Sequence, residues 1–204
     1  MSYIIGAGGF AAELYTWLEA DNLHKDICAF VTDTSYAGSH DVGFTQLPVL
    51  TLAEVPKNQE YYLGISDPIL KRKFFEHLSA LGWNALKFIS KHAIISAHSH
   101  IGQGVIICPF TTISPLSVLG QFTTINCHSG VGHHAQIGDF STLLGGNSVN
   151  GHVLIGENCT LGCGAQILPK RKIANNATIG IGSVVVSNVQ DAQTVFGNPA
   201  KKLL

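Results

Sequence analysis

The stretch INCHSGVGHHAQIGDFSTLLGGNSV, residues 125–149, repeats on a beat of six, with Ile125, Val131, Ile137, Leu143 and Val149 in one register. Followed outward, the beat starts at Ile89 and runs without a break to Val185, seventeen aliphatic positions in all. A glycine often follows the aliphatic residue, as at Gly102, Gly120, Gly132, Gly138, Gly156, Gly162 and Gly180. The residue four places on is small or β-branched, as at Thr111, Ser117, Thr123, Ser129, Ala135 and Ser141. A six-residue period matches neither one helix nor one flat sheet. It is the mark of a parallel β-helix built from hexapeptide repeats. Three hexads make one triangular coil, so residues eighteen apart should stack in neighbouring coils, roughly 4.8 Å apart. One inward position conflicts: Arg171 carries a charge that is costly to bury, so a local turn or bulge is expected there.

Residues 1–88 do not keep the beat. They open with Tyr3-Ile4-Ile5, then Gly6-Ala7-Gly8-Gly9, then a helical pattern to Ala20. A second strand is expected over Ile27–Val31, a loop over Asp33–Gln46 and a buried strand over Glu60–Ile65. Asp67 and Pro68 form an N-cap and first-turn pair that opens a helix to about Leu81. Strands alternating with helices imply a small parallel sheet. The expected organisation is a Rossmann-like α/β domain over 1–88 and a β-helix with a C-terminal tail over 89–204, the tail leaving the beat after Val185.

Composition narrows the function. The net charge is −1 and 12% of residues are charged, so a nucleic-acid surface is not expected. No apolar stretch approaches the length of a membrane span and no secretion signal is apparent. Five cysteines without a CxxC pair read as reduced thiols of a cytoplasmic protein. Low charge with 46% hydrophobic residues suggests surface buried between subunits.

Four stretches carry a resemblance: Ile5-Gly6-Ala7-Gly8-Gly9; Ile65-Ser66-Asp67-Pro68 with Lys71-Arg72-Lys73; Ile125-Asn126 through Asp139-Phe140; and Gly197-Asn198-Pro199-Ala200-Lys201. Together they resemble the bacterial sugar O-/N-acyltransferases, the sialic acid O-acetyltransferases and the nucleotide-linked 4-amino-sugar N-acetyltransferases of the bacillosamine and perosamine types. The resemblance implies a homotrimer of left-handed β-helices, with acetyl-CoA as co-substrate and active sites between subunits. It implies acetylation of a nucleotide-linked 4-amino-4,6-dideoxysugar for surface glycan synthesis, by direct transfer.

Such transfer needs a base, an oxyanion donor and a site that aligns both substrates. His133 matches the family base. Gly151 lies eighteen residues on and should sit beside it. A glycine there leaves its N–H approachable, and the family uses the matching glycine near the thioester. His134 stands where relatives carry Asp or Glu, and His152 should stack beside it. Thr142 stands where some relatives place a histidine that meets the acetyl-CoA carbonyl. Cys163 and Ile181 match positions that line the cofactor groove, and Pro199, Ala200 and Lys201 belong to the closing motif near the cofactor's nucleotide end. Lys170, Arg171 and Lys172 are spare cations for its phosphates or solvated charges. Asn126 matches an asparagine that touches the sugar.

The Gly6–Gly9 turn between strand and helix suits a phosphate. The resemblance makes Gly8, Gly9, Phe10, Thr32, Asp33 and Ser66 the nucleotide-sugar contacts. Phe10, Thr32 and Ser66 each depart from the usual family residue.

The acetyltransferase reading expects no metal. A sugar O-acetyltransferase is the near alternative. A zinc lyase of the carbonic anhydrase type is more remote, with His98, His100, His128, His133, His134 and His152 as its pool of imidazoles. A nicotinamide oxidoreductase would need the third glycine that the first turn lacks.

Overall fold

The computed structural model describes residues 1–33 and 42–203. Most of the loop expected over 33–46 therefore lies outside the described residues.

The first part is a parallel sheet of β1 (Ser2–Ile5), β2 (Ile27–Thr32), β3 (Val49–Thr51), β4 (Glu60–Leu63) and β5 (Asn84–Ala85). Helix α1 (Gly9–Ala20) joins β1 to β2, and α2 (Pro68–Ala80) joins β4 to β5. The strand order is β3-β2-β1-β4-β5, so the chain reverses direction across the sheet between β1 and β4. In α2 the Asp67 carboxylate accepts from the Leu70 N–H at 2.8 Å, with Pro68 at the first turn.

The two helices cover opposite faces of this sheet. Ala11, Leu14 and Leu18 of α1 pack with Ile4 and Phe30. Leu78 of α2 packs with Tyr3, Ile5 and Val31. Neither cluster closes within the first 88 residues. Ile106 and Cys108 complete the first, while Phe122 and Phe140 complete the second.

The second part is a parallel β-solenoid. Two-residue strands from Phe88–Ile89 to Val184–Val185 form three faces, each strand pairing with the one eighteen residues away. Face 1 begins with Phe88–Ile89, face 2 with Ile94–Ile95 and face 3 with His100–Ile101. The beat residues point inward and form one continuous core from Ile107 to Val185 with the small residues between them. Ile95 and Ile101 are only partly covered, and Ile89 is exposed. These three lie in the first coil, which has no coil beneath it.

From Gly104 to Gly182 each edge turns through a residue with φ between 54° and 73°. This left-handed conformation costs a non-glycine side chain roughly 1 kcal/mol or more, so it is set by the coil rather than by local preference. The edges form ladders. Edge 1/2 carries His92, Phe110, His128, Gly146, Gly164 and Gly182. Edge 2/3 carries His98, Leu116, His134, His152 and Lys170, and edge 3/1 carries Gly104, Phe122, Phe140, Asn158 and Asn176.

Two expectations need correction. No bulge forms at Arg171. Its carbonyl accepts from the Leu154 N–H at 2.9 Å and the ladder continues. The side chain is half-buried, with Nε donating to the Pro169 carbonyl at 3.3 Å. The next coil relieves the conflict. Ile173 bridges to Val189, sixteen residues on instead of eighteen, so the corner above Arg171 is two residues short. Nor does the tail simply leave the beat. Val189 and Val195 extend the core, Thr194–Phe196 adds a strand to face 1, and Lys201–Lys202 pairs antiparallel to it.

Candidate active site

Edge 2/3 holds the first cluster. The turn after Gly130–Val131 presents His133 and His134, and the same turn one coil on presents Gly151 and His152. All three imidazoles are exposed. His133 Nδ1 lies 3.1 Å from His134 Nδ1. The His134 and His152 rings stack at 4.6 Å and 18°, and the His133 ring stands nearly perpendicular to His152 at 5.1 Å. A Cβ built on Gly151 would lie 2.7 Å from both Nε2 and Cε1 of His133. Only glycine therefore leaves this ring where it is. Among the described residues the Gly151 N–H donates no hydrogen bond. The His152 imidazole is held below the ordinary histidine range, first by partial loss of solvent and then by His134, His133 and Lys170.

A groove of about 570 Å³ runs from this edge over face 2. Ser114, Gly132, His133, Asn150, Gly151, His152 and Lys170 are among its lining residues. Ser114 and Asn150 belong to no motif in the sequence, and only their position beside the edge brings them into the groove.

The second cluster lies at the carboxyl ends of β1 and β4, where strand order reverses. Open parallel sheets bind ligands at such a point. A cavity of about 310 Å³ is lined by Gly8, Gly9, Phe10, Thr32, Asp33 and Ser66, together with Leu70, Lys73 and Phe74. Gly8 caps α1 without a side-chain hydrogen bond, so the first amides of the helix face the cavity and favour an anion. Gly6 has φ +104°, and a Cβ there would meet the Gly64 carbonyl at 2.8 Å. Lys73 Nζ lies 3.7 Å from Asp33 Oδ2. A second cavity, of about 420 Å³, shares Asp33, Lys73 and Phe74 with the first. Lys73 belongs to the basic stretch that carries the resemblance, whereas Leu70 is not singled out in the sequence and enters the cavity through its place in α2.

Other singled-out residues lie apart. Thr142 is buried on face 1, where its hydroxyl donates to the Ser66 carbonyl at 2.6 Å. It supports the cavity wall and does not line the groove. Asn126, Cys163 and Ile181 lie along edge 1/2, across face 2 from His133. Asn126 Oδ1 accepts from the Cys127 N–H, and Cys163 and Ile181 are exposed. Of the wider histidine pool, His128 stacks on Phe110 at 5.0 Å, away from the cluster.

The two clusters sit on opposite sides of one chain. The outward residues Phe88, Ile106, Thr124 and Thr142 of face 1 are buried beneath the first part. Edge 2/3 is the edge that face 1 does not touch.

No family profile matches the chain. It is 32% identical over 137 residues to the GDP-perosamine N-acetyltransferase of Escherichia coli O157:H7, a match covering 65% of the chain and 62% of that enzyme. PerB from Caulobacter crescentus, solved with CoA and GDP-perosamine, superposes with a TM-score of 0.87 at 26% identity, over 99% of this chain and 96% of that one. The acetyltransferase domain of PglB from Neisseria gonorrhoeae FA1090, solved with acetyl coenzyme A, gives 0.86 at 27% identity, over 99% and 98%. The chain is thus similar to sugar N-acetyltransferases of the β-helix type, and it spans 62% of the length of the curated relative that it matches. Among the described residues its edge cluster is built from imidazoles, with no carboxylate in the group.

Proposed function

We propose that the chain is an acetyl-CoA-dependent N-acetyltransferase acting on a nucleotide-linked 4-amino-4,6-dideoxysugar, in cytoplasmic synthesis of surface glycan precursors. Its relatives bind CoA or acetyl-CoA, and PerB also holds GDP-perosamine. The observation that carries the mechanism is His133 lying against Gly151, whose amide has no other partner among the described residues.

In this reading residues 1–88 are a Rossmann-like nucleotide-sugar domain and 89–204 a left-handed β-helix acetyltransferase domain. The cavity at Gly8, Gly9, Phe10, Thr32, Asp33 and Ser66 takes the nucleotide sugar. Acetyl-CoA lies along the solenoid near Cys163 and Ile181. There Gly146, Gly164 and Gly182 leave edge 1/2 open, with no atom closer than 3.8 Å to a built Cβ. Because the base and the sugar cavity face away from each other in one chain, each site joins two neighbours of a homotrimer. Exposed Ile94, Val118 and Leu154 on faces 2 and 3 are consistent with such contacts.

The His133–His134 contact sets the tautomer. A lone pair is needed on His133 Nε2, which lies against Gly151. His133 must therefore donate from Nδ1 to Nδ1 of His134, 3.1 Å away. His134 orients the base as a neutral acceptor, without the charge that a carboxylate would lend it. His133 Nε2 then takes a proton from the attacking amino group while the Gly151 N–H stabilises the oxyanion.

His133→Ala should keep the trimer, seen by light scattering, and lose acetyl transfer by roughly 100-fold or more, the scale of a general base. Near-normal thiol release from acetyl-CoA in that variant would sink the assignment. A panel of GDP-, UDP- and dTDP-linked amino sugars, run beside sialic acid, identifies the acceptor and separates N- from O-acetylation.

A further inference from the structure

The three imidazoles of edge 2/3 meet a requirement that acetyl transfer does not impose. Ring nitrogens of His133, His134 and His152 all lie within 4.8 Å of one another. Two nitrogens bound to one tetrahedral ion, with bonds of about 2.0–2.1 Å, sit roughly 3.3 Å apart. The His133 and His134 Nδ1 atoms are 3.1 Å apart, close to that spacing. The third ligand comes from the next coil, and its height is fixed by the pairing of Gly130 with Ser148. His134 and His152 occupy equivalent edge positions, both with φ of 59°. Gly151 adds no side chain between them, and exposure leaves an entry path and a fourth position for water.

We infer that this edge binds one borderline divalent cation of the zinc type through His133, His134 and His152, and that binding inhibits acetyl transfer. The donor set gives the metal class. Three imidazoles with no carboxylate suit Zn²⁺, Co²⁺, Ni²⁺ or Cu²⁺ and offer little to Mg²⁺ or Ca²⁺. The inhibition follows from one electron pair having two claimants. A metal bound to His133 abolishes its donation to His134 and fixes its ring away from the acceptor. This second half rests on His133 being the base, as proposed above. The site itself does not.

The experiment is a Co²⁺ titration of the untagged, chelator-stripped full chain, read by visible absorption and repeated with His152→Ala. One equivalent per chain should give the bands of a tetrahedral imidazole centre, and Zn²⁺ should erase them. His152→Ala should bind on the order of 10-fold or more weakly with an unchanged circular dichroism spectrum. Absence of stoichiometric binding, or equal binding by His152→Ala, would overturn the site. Zn²⁺ should also suppress acetyl transfer by the wild type, with recovery on adding EDTA. One-equivalent Co²⁺ binding beside a fully active His133→Ala would leave the site standing and remove the base, so the two failures are told apart.

Discussion

Three consecutive basic residues on α2 have three different fates. Lys71 is fully buried, and its Nζ reaches the Phe122 carbonyl at 2.8 Å, the Ser141 carbonyl at 3.2 Å and the Thr124 hydroxyl at 3.3 Å. Arg72 lies over the Phe140 ring at 4.3 Å and pairs with Glu157 at 2.8 Å. Lys73 turns to the cavity beside Asp33. Burial lowers the Lys71 pKa well below the ordinary lysine value of 10.5, against a smaller opposing pull from Asp67. The Nζ donates to all three oxygens and meets no carboxylate among these partners. The unfolded chain keeps this proton up to about 10.5, whereas the folded chain gives it up earlier. Between those two values the unfolded state binds more protons, so stability rises with pH. Urea unfolding between pH 8 and 10 should show this rise in the wild type and a flatter slope in Lys71→Met. The tyrosines are common to both proteins and cancel in the comparison, so equal slopes would refute the depressed pKa. The sequence carried one signal for this lysine. It lies three residues after Pro68 and seven before Leu78, on the buried stripe of α2.

At the level of elements, the hexad beat made the solenoid legible because each inward position repeats the same steric demand. Stacking then carries that demand from coil to coil. The beat also located Gly151 and His152, since strand pairing holds the eighteen-residue spacing through these coils. It missed the shortened coil above Arg171, where the chain drops two residues and the aliphatic pattern re-enters at Val189. It also missed how the two parts join, because aromatic residues on edge 3/1 face outward and obey no inward rule. Phe122 stacks on Phe140 at 5.4 Å and 5°, and meets Phe75 of α2 at 4.7 Å. The sheet and the solenoid therefore share a core and should unfold together. Both tryptophans, Trp17 and Trp83, report on the first part, while far-ultraviolet circular dichroism reports on the whole chain. The two urea transitions should coincide. Phe122→Ala should shift both to lower urea by the same amount, at a cost of about 3–5 kcal/mol. Separate transitions would show that the sheet folds independently.

For the whole molecule, the decisive fact is the side on which each cluster lies. The sequence shows which residues belong to the cavity and which to the histidine edge, but it does not show that face 1 is consumed in docking the sheet. Only the buried outward residues of face 1, Thr124 and Thr142 among them, reveal that the histidine edge opposes the cavity. If each catalytic site takes its base from one subunit and its sugar cavity from the next, two different inactive chains can rescue each other. Leu70→Trp fills the cavity from the exposed side of α2, and His133→Ala removes the imidazole proposed as the base. Each variant alone should be nearly inactive. When equal amounts are unfolded together and reassembled, one junction in four pairs an intact base with an intact cavity. Activity should recover to about a quarter of the wild-type value, because the head-to-tail contacts of a closed ring treat every junction alike. A site contained within one chain would give no recovery at all. Mixing the folded variants without unfolding is the control and should stay inactive for as long as subunits do not exchange.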